Sequence, residues 1–197
     1  MFISGISSDL SHSNLKRGLK LLGVALAVTL VTYFAVPDEV IVFGILHFLS
    51  ICMILYGLIK PFSDRFRFNA IAVAVCAVLF AATMGISSGY LGFSPQLGII
   101  LPPSLYTTNW LAPLGIFNET FRSSDYFPLL PWIFVFAAGT IIGKLAAAGR
   151  FPAFTYHSRV PFFSWIGRHA LILYLAHQPV IYGVCWLVSW IVKQTRG

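Results

Sequence analysis

The chain has 197 residues, 58% of them hydrophobic and only 10% charged. A soluble domain carries about 25% charged residues, so the composition excludes an ordinary water-soluble globule. The net charge of +7 is not a nucleic-acid signal either, because the lysines and arginines fall in short clusters between long apolar runs, where membrane topology puts them.

The runs predict an all-α membrane protein, a polytopic helix bundle of about five transmembrane helices in one domain over residues 1–197. Residues 1–8 are apolar but too short to span and read as the tail of a partial N-terminal helix. A polar turn over residues 9–20 follows, with Ser11, His12, Asn14, Lys16, Arg17 and Lys20. Spans are expected at about 18–36, 40–59 and 68–88, the first closed by Pro37-Asp-Glu39 and the second by a basic turn over 60–67. No cleavable signal peptide is expected, since the apolar stretch after Lys20 is too long and lacks a small-residue cleavage site. Residues 90–124 are apolar and aromatic but hold Pro95, Pro102, Pro103 and Pro113, a density that disfavours a continuous helix. They read as an extramembrane or re-entrant loop, with Tyr106 and Trp110 at interfacial depth. A fourth span is expected at about 126–147, with Pro128 and Pro131 in its first turns, and a fifth at about 168–192. Gly139 and Gly143 form a small-xxx-small spacing that suits close packing within the bundle; a homo-oligomer is compatible with it. Cys52, Cys76 and Cys185 lie within apolar runs and read as packing residues rather than a disulfide framework.

Five spans place ten basic residues on one side, Arg159 and Arg168 among them, and Arg122, Lys193 and Arg196 on the other. That bias makes the basic side cytoplasmic. If residues 96–117 also spanned, the split would be nine against four, so the prolines, more than the charge, favour five spans.

Polar groups inside the spans are costly and mark candidate sites. His177, Gln178 and Pro179 interrupt the last run. His177 lies nine residues past Arg168, about 13 Å along a helix. His47 lies seven residues past Val40, about 10 Å in from the opposite face. Each imidazole can line a reaction path or fix helix packing by hydrogen bonding. Pro179 frees the carbonyl of Leu175 and predicts a kink. Asp125 stands at the external start of the fourth span, where a carboxylate complements the helix dipole or binds and deprotonates a ligand from outside. Trp132, deeper in that span, can stack on a sugar ring or anchor the interface. The sequon Asn118-Glu-Thr120 matters only in a eukaryotic secretory setting. No metal-ligand spacing, phosphate-binding glycine loop or soluble-enzyme nucleophile motif is found.

Three motifs, Phe43-Gly-Ile-Leu-His-Phe48, Asp125-Tyr-Phe-Pro-Leu-Leu-Pro-Trp132 and Gly167-Arg-His-Ala-Leu-Ile-Leu-Tyr-Leu-Ala-His-Gln-Pro179, resemble the bacterial relatives of the heparan-α-glucosaminide N-acetyltransferase catalytic domain. Ser4-Gly-Ile-Ser7 and Asn14-Leu-Lys-Arg-Gly-Leu-Lys20 fit the same pattern, and the resemblance covers nearly the whole chain in order. It implies an integral membrane acyltransferase of the bacterial cytoplasmic membrane, taking an acyl group from a cytoplasmic acetyl-CoA thioester to a sugar-like acceptor on the far side. Family members begin with further helices, the first carrying a histidine assigned to catalysis. That histidine has no counterpart here, so the resemblance implies the C-terminal part of such an enzyme. Acyl transfer needs a base, oxyanion stabilisation and a site for the cofactor's phosphates. The expected catalytic candidates are His177, His47 and Asp125. Arg168, His169, Arg17, Lys20 and Arg159 are the candidates for holding CoA phosphates, although topology alone also accounts for those charges. Gln178, Trp132 and Tyr174 are the candidates for substrate contact. The alternative is a non-catalytic membrane scaffold or small-solute pathway.

Overall fold

The structure, a computed structural model, describes residues 1–152 and 161–195. It divides into two compact units, Met1–Arg150 and Phe151–Gly197. The first holds α1 (Phe2–Leu10), α2 (Asn14–Ala35), α3 (Ile45–Ser63), α4 (Ala70–Thr83) and α5 (Trp132–Ala147). The second holds α6 (Pro161–Arg168) and α7 (Ala170–Thr195). Among the described residues, the stretches Asn14–Ala35, Ile45–Ser63 and Ala70–Ser88 are long and apolar enough to cross a membrane. α7, with 26 residues, is about 39 Å long. The chain is an all-α membrane protein, and its outer surface matches: Leu26, Leu30, Val31 and Phe34 on α2 and Ile71, Val75 and Val78 on α4 are exposed. Apolar area of that extent is stable against lipid and not against water.

Where the helices start and stop follows from local chemistry. Val36 leaves helical geometry ahead of Pro37, as residues before proline do. α3 begins at Ile45 rather than near position 40. The β-branched run Val40-Ile-Val42 favours extended backbone, and these residues find partners outside any helix. Ile41 N donates to Thr32 Oγ1 at 3.2 Å and Val42 N to Ser123 Oγ at 3.1 Å. Ser124 N donates to Val40 O at 3.2 Å and Phe127 N to Phe43 O at 3.0 Å. α4 is capped by Asn69, whose side chain accepts from Ile71 N at 2.8 Å. α5 begins at Trp132, six residues later than expected, because Pro128 and Pro131 push the residues before them out of helical geometry.

Residues 90–124 hold a short antiparallel hairpin, β1 (Tyr90–Gly92) and β2 (Gly98–Ile100), registered Tyr90 to Ile100. The 3-10 turns Pro103–Tyr106 and Ala112–Leu114 follow. Gly115, at φ +101°, ends the second turn in the left-handed region that glycine tolerates best.

Two helix pairs set the frame of the first unit. α1 crosses α5 at Gly5 and Gly139: a Cβ on Gly5 would fall on the Phe136 carbonyl oxygen, and one on Gly139 on the Phe2 carbonyl oxygen. α2 meets α3 where Gly18 faces Ser50 and Ile54 and where Gly57 faces Leu15. The core gathers around α3, with Phe43, Phe48, Cys52, Met53, Tyr56 and Phe136 buried together.

Candidate functional site

His47 belongs to the first turn of α3, two residues after its start, about 3 Å of helical rise. The 10 Å depth expected from counting at Val40 is thus corrected, because residues 40–44 are not helical. The ring is buried, with a relative exposure of 5%, and lies 5.6 Å from the Phe43 ring. Gly44 N donates to His47 Nδ1 at 3.3 Å, so Nδ1 carries the lone pair and the proton of the neutral ring sits on Nε2. Nε2 faces Thr29 Oγ1 at 3.4 Å, and Thr29 in turn donates to Ile41 O at 2.7 Å. Both ring nitrogens are satisfied, and the imidazole ties α2 to the start of α3.

Asp125 caps a different helix from the one expected. Its Oδ2 accepts from Ile45 N at 3.2 Å, at the N-terminus of α3, where a carboxylate complements the positive helix end. Six non-helical residues separate it from α5, for the proline reason given above. Gly44 allows the approach: a Cβ there would sit 2.6 Å from Asp125 Oδ2. Asp125 also lies within electrostatic reach of His47. Trp132, at the head of α5, stacks at 5.0 Å on Phe127 and meets Phe80 edge-on at 5.4 Å, which places it against the core. Tyr126 Oη donates to Ala112 O at 2.6 Å, and burial pushes its phenol pKa up.

Two open cavities adjoin this end of the unit. One, of about 400 Å³, is lined by Phe43, Asn109, Trp110, Ala112 and Pro113 among others. The other, of about 770 Å³, lies among Ser87, Ser88, Tyr106, Phe117 and Glu119.

The opposite end carries all but Arg122 of the first unit's lysines and arginines. Arg17 and Lys20 are exposed on the first turns of α2. Lys60 and Lys144, both counted in the charge bias, are partly buried and also join a network around buried Asp9. Lys144 Nζ lies 3.5 Å from Asp9 Oδ1 and donates to Ser63 O at 2.9 Å. Tyr56 Oη donates to Asp9 Oδ1, and Lys60 Nζ to the Asp9 carbonyl. Asn14 Nδ2 donates to Ser8 O at 2.6 Å and to Ser11 O at 3.2 Å. From the sequence Asp9 reads only as the first residue of a polar turn. The available signal was that an acidic residue, one of six in the chain, directly follows an apolar segment.

In the second unit, Arg168 ends α6 and its Nε donates to Ser164 O at 3.4 Å. His169 stacks on Trp165 at 4.7 Å, with its Nδ1 2.9 Å from the Trp165 carbonyl. On α7, His177 Nδ1 engages the Tyr174 carbonyl one turn earlier, with the two rings 5.3 Å apart. α7 continues through positions 178 and 179. Arg159 lies outside the described residues, as do the side chains of Gln178 and Pro179.

Compared with known proteins, the chain matches a family model described as heparan-alpha-glucosaminide N-acetyltransferase, catalytic, over residues 1–179. No curated protein and no solved structure matches it. Two segments that carry the resemblance, 43–48 and 125–132, are joined in the fold by the Ile45–Asp125 and Phe43–Phe127 hydrogen bonds. With nine-tenths of its length inside that match, the chain belongs to the heparan-α-glucosaminide N-acetyltransferase catalytic family, whose function is membrane acyltransferase-like.

Proposed function

We propose that the protein moves an acetyl or similar acyl group from a CoA thioester, bound at its basic end, to a sugar-like acceptor at the end that carries His47 and Asp125. The observation that carries this reading is the meeting of the two distant motif segments at the N-terminus of α3. There a carboxylate, a buried imidazole and a helix dipole converge. A carboxylate offers about four lone-pair positions, so Asp125 can cap α3 and also accept a hydrogen bond from an acceptor N–H or O–H. His47, held as the Nε2–H tautomer, positions that end of α3. In the transfer a base takes the acceptor proton as the nucleophile attacks the thioester carbonyl, the C–S bond breaks, and the same group returns the proton to the leaving CoA thiolate; His177 is the candidate for that base by the resemblance alone. In the first unit Arg17 and Lys20 are the proposed source of positive charge for the donor's phosphates; Arg159, Arg168 and His169 are further candidates by the resemblance alone. The basic end faces the cytoplasm by the charge bias, and the membrane is a bacterial cytoplasmic membrane by the resemblance.

The test is acetyl transfer by the full chain in nanodiscs, with radiolabelled acetyl-CoA and glucosamine or methyl glucoside as acceptors. Product is expected, and His177→Ala should slow it by about a hundredfold or more, the usual contribution of a general base. Asp125→Asn should raise the acceptor KM. Absence of both CoA binding and product would refute the assignment.

A further inference from the structure

The loop over residues 106–118 is not used by any step proposed above, yet it is tied by internal hydrogen bonds beside the candidate site. Asn118 N donates to Asn109 Oδ1 at 3.1 Å, and Ala112 N donates to Asn109 O at 3.1 Å. These bonds close a tight turn around Trp110, whose side chain stands out at 90% relative exposure. Trp110 forms the rim of the 400 Å³ groove, with Thr108 and Asn109 beside it and Phe43 and Ala112 in its wall. That volume falls within the range of small-molecule sites, about 300–1,000 Å³. No Lys, Arg, Asp or Glu lines it, so the part of a ligand it takes is uncharged.

The groove is continuous with both motif segments. Phe43 is one of its walls and packs on His47. Ala112, another wall, receives the Tyr126 hydroxyl next to Asp125. The larger cavity shares no residue with either segment. Aromatic faces with a neighbouring hydroxyl and amide are what a hydroxylated ring requires: flat apolar contact plus a few directed hydrogen bonds. Because Asn109 Oδ1 is committed to Asn118, its Nδ2 is the group a ligand meets.

We infer that this groove seats the ring of the acceptor, with the Trp110 indole as its stacking platform and Thr108 and Asn109 as its polar contacts. The inference rests on the transferase reading for the ligand's role, but not for its binding. The binding test is tryptophan emission of the full chain in nanodiscs, titrated with methyl glucoside and with glucosamine. Saturable quenching is expected with at least one of them, and it should vanish in Trp110→Ala. In turnover, Trp110→Ala should raise the acceptor KM about tenfold, the value of one aromatic contact, with a smaller effect on kcat. Trp110→Phe should recover most of that loss. Quenching that is absent, or unchanged in Trp110→Ala, would overturn the assignment, as would quenching of Trp110 by brominated lipid but by neither sugar. Saturable, Trp110-dependent sugar binding with neither CoA binding nor acyl transfer would uphold the groove and remove the transferase reading.

Discussion

Thr29 determines which proton His47 carries. Its single hydroxyl hydrogen goes to Ile41 O at 2.7 Å, so what it offers the imidazole is a lone pair. With Gly44 N on the other side of the ring, the neutral Nε2–H form is the one that satisfies every partner. Thr29→Val should leave that N–H buried and unmet, at a cost of about 1–3 kcal/mol, seen as a lower Tm in detergent. It should also move the ¹⁵N imidazole shifts of His47 away from a single tautomer. An unchanged Tm and spectrum would show that the network does not hold the ring. The sequence made His47 visible as a histidine in an apolar run, but not its Thr29 partner, because Thr29 lies on α2, which only the fold brings beside the start of α3.

At the scale of elements, glycines decide which helices touch. The Gly139–Gly143 spacing was legible in the sequence, and its use is now specific: Gly139 lies against the α1 backbone at Phe2 and Gly5, and Gly143 against Asp9. Gly139→Ala should therefore force the α1–α5 crossing apart and lower Tm. Gly23→Ala offers the opposite control. It is helical, with nothing within 4 Å of its added Cβ, so helix propensity alone should stabilise by about 1 kcal/mol. Equal effects of the two changes would mean that the crossing is not a close one. α3 and α5 start five and six residues later than hydropathy alone suggests, for a common reason. Hydropathy does not distinguish a helix from an extended apolar segment, and residues 40–44 and 126–131 are apolar but extended, turned or proline-restricted.

For the molecule as a whole, the buried network at the basic end locks α1, α3 and α5 together through Asp9. Removing one partner of a buried ion pair typically costs about 3–5 kcal/mol, because the other charge is stranded, whereas replacing both with apolar groups is often neutral. Lys144→Met should accordingly destabilise strongly, and the double variant Asp9→Leu with Lys144→Met should recover much of the loss in the same thermal assay. Additive losses would show that the two charges do not depend on each other.

What the sequence determined by itself was the solvent and the class. So much apolar side chain with so few charges is stable only as helices in lipid, and ordered motifs along the chain pointed to the family. Only the tertiary structure decided that Lys60 and Lys144 gather around Asp9, that Asp125 caps α3 instead of α5, and that Trp110 rims a groove beside Phe43. The physical reason is the same in each case. Hydropathy and periodicity are sums over neighbours along the chain, whereas a cap, an ion pair or a groove depends on a partner as many as 135 residues away, as Asp9 and Lys144 are.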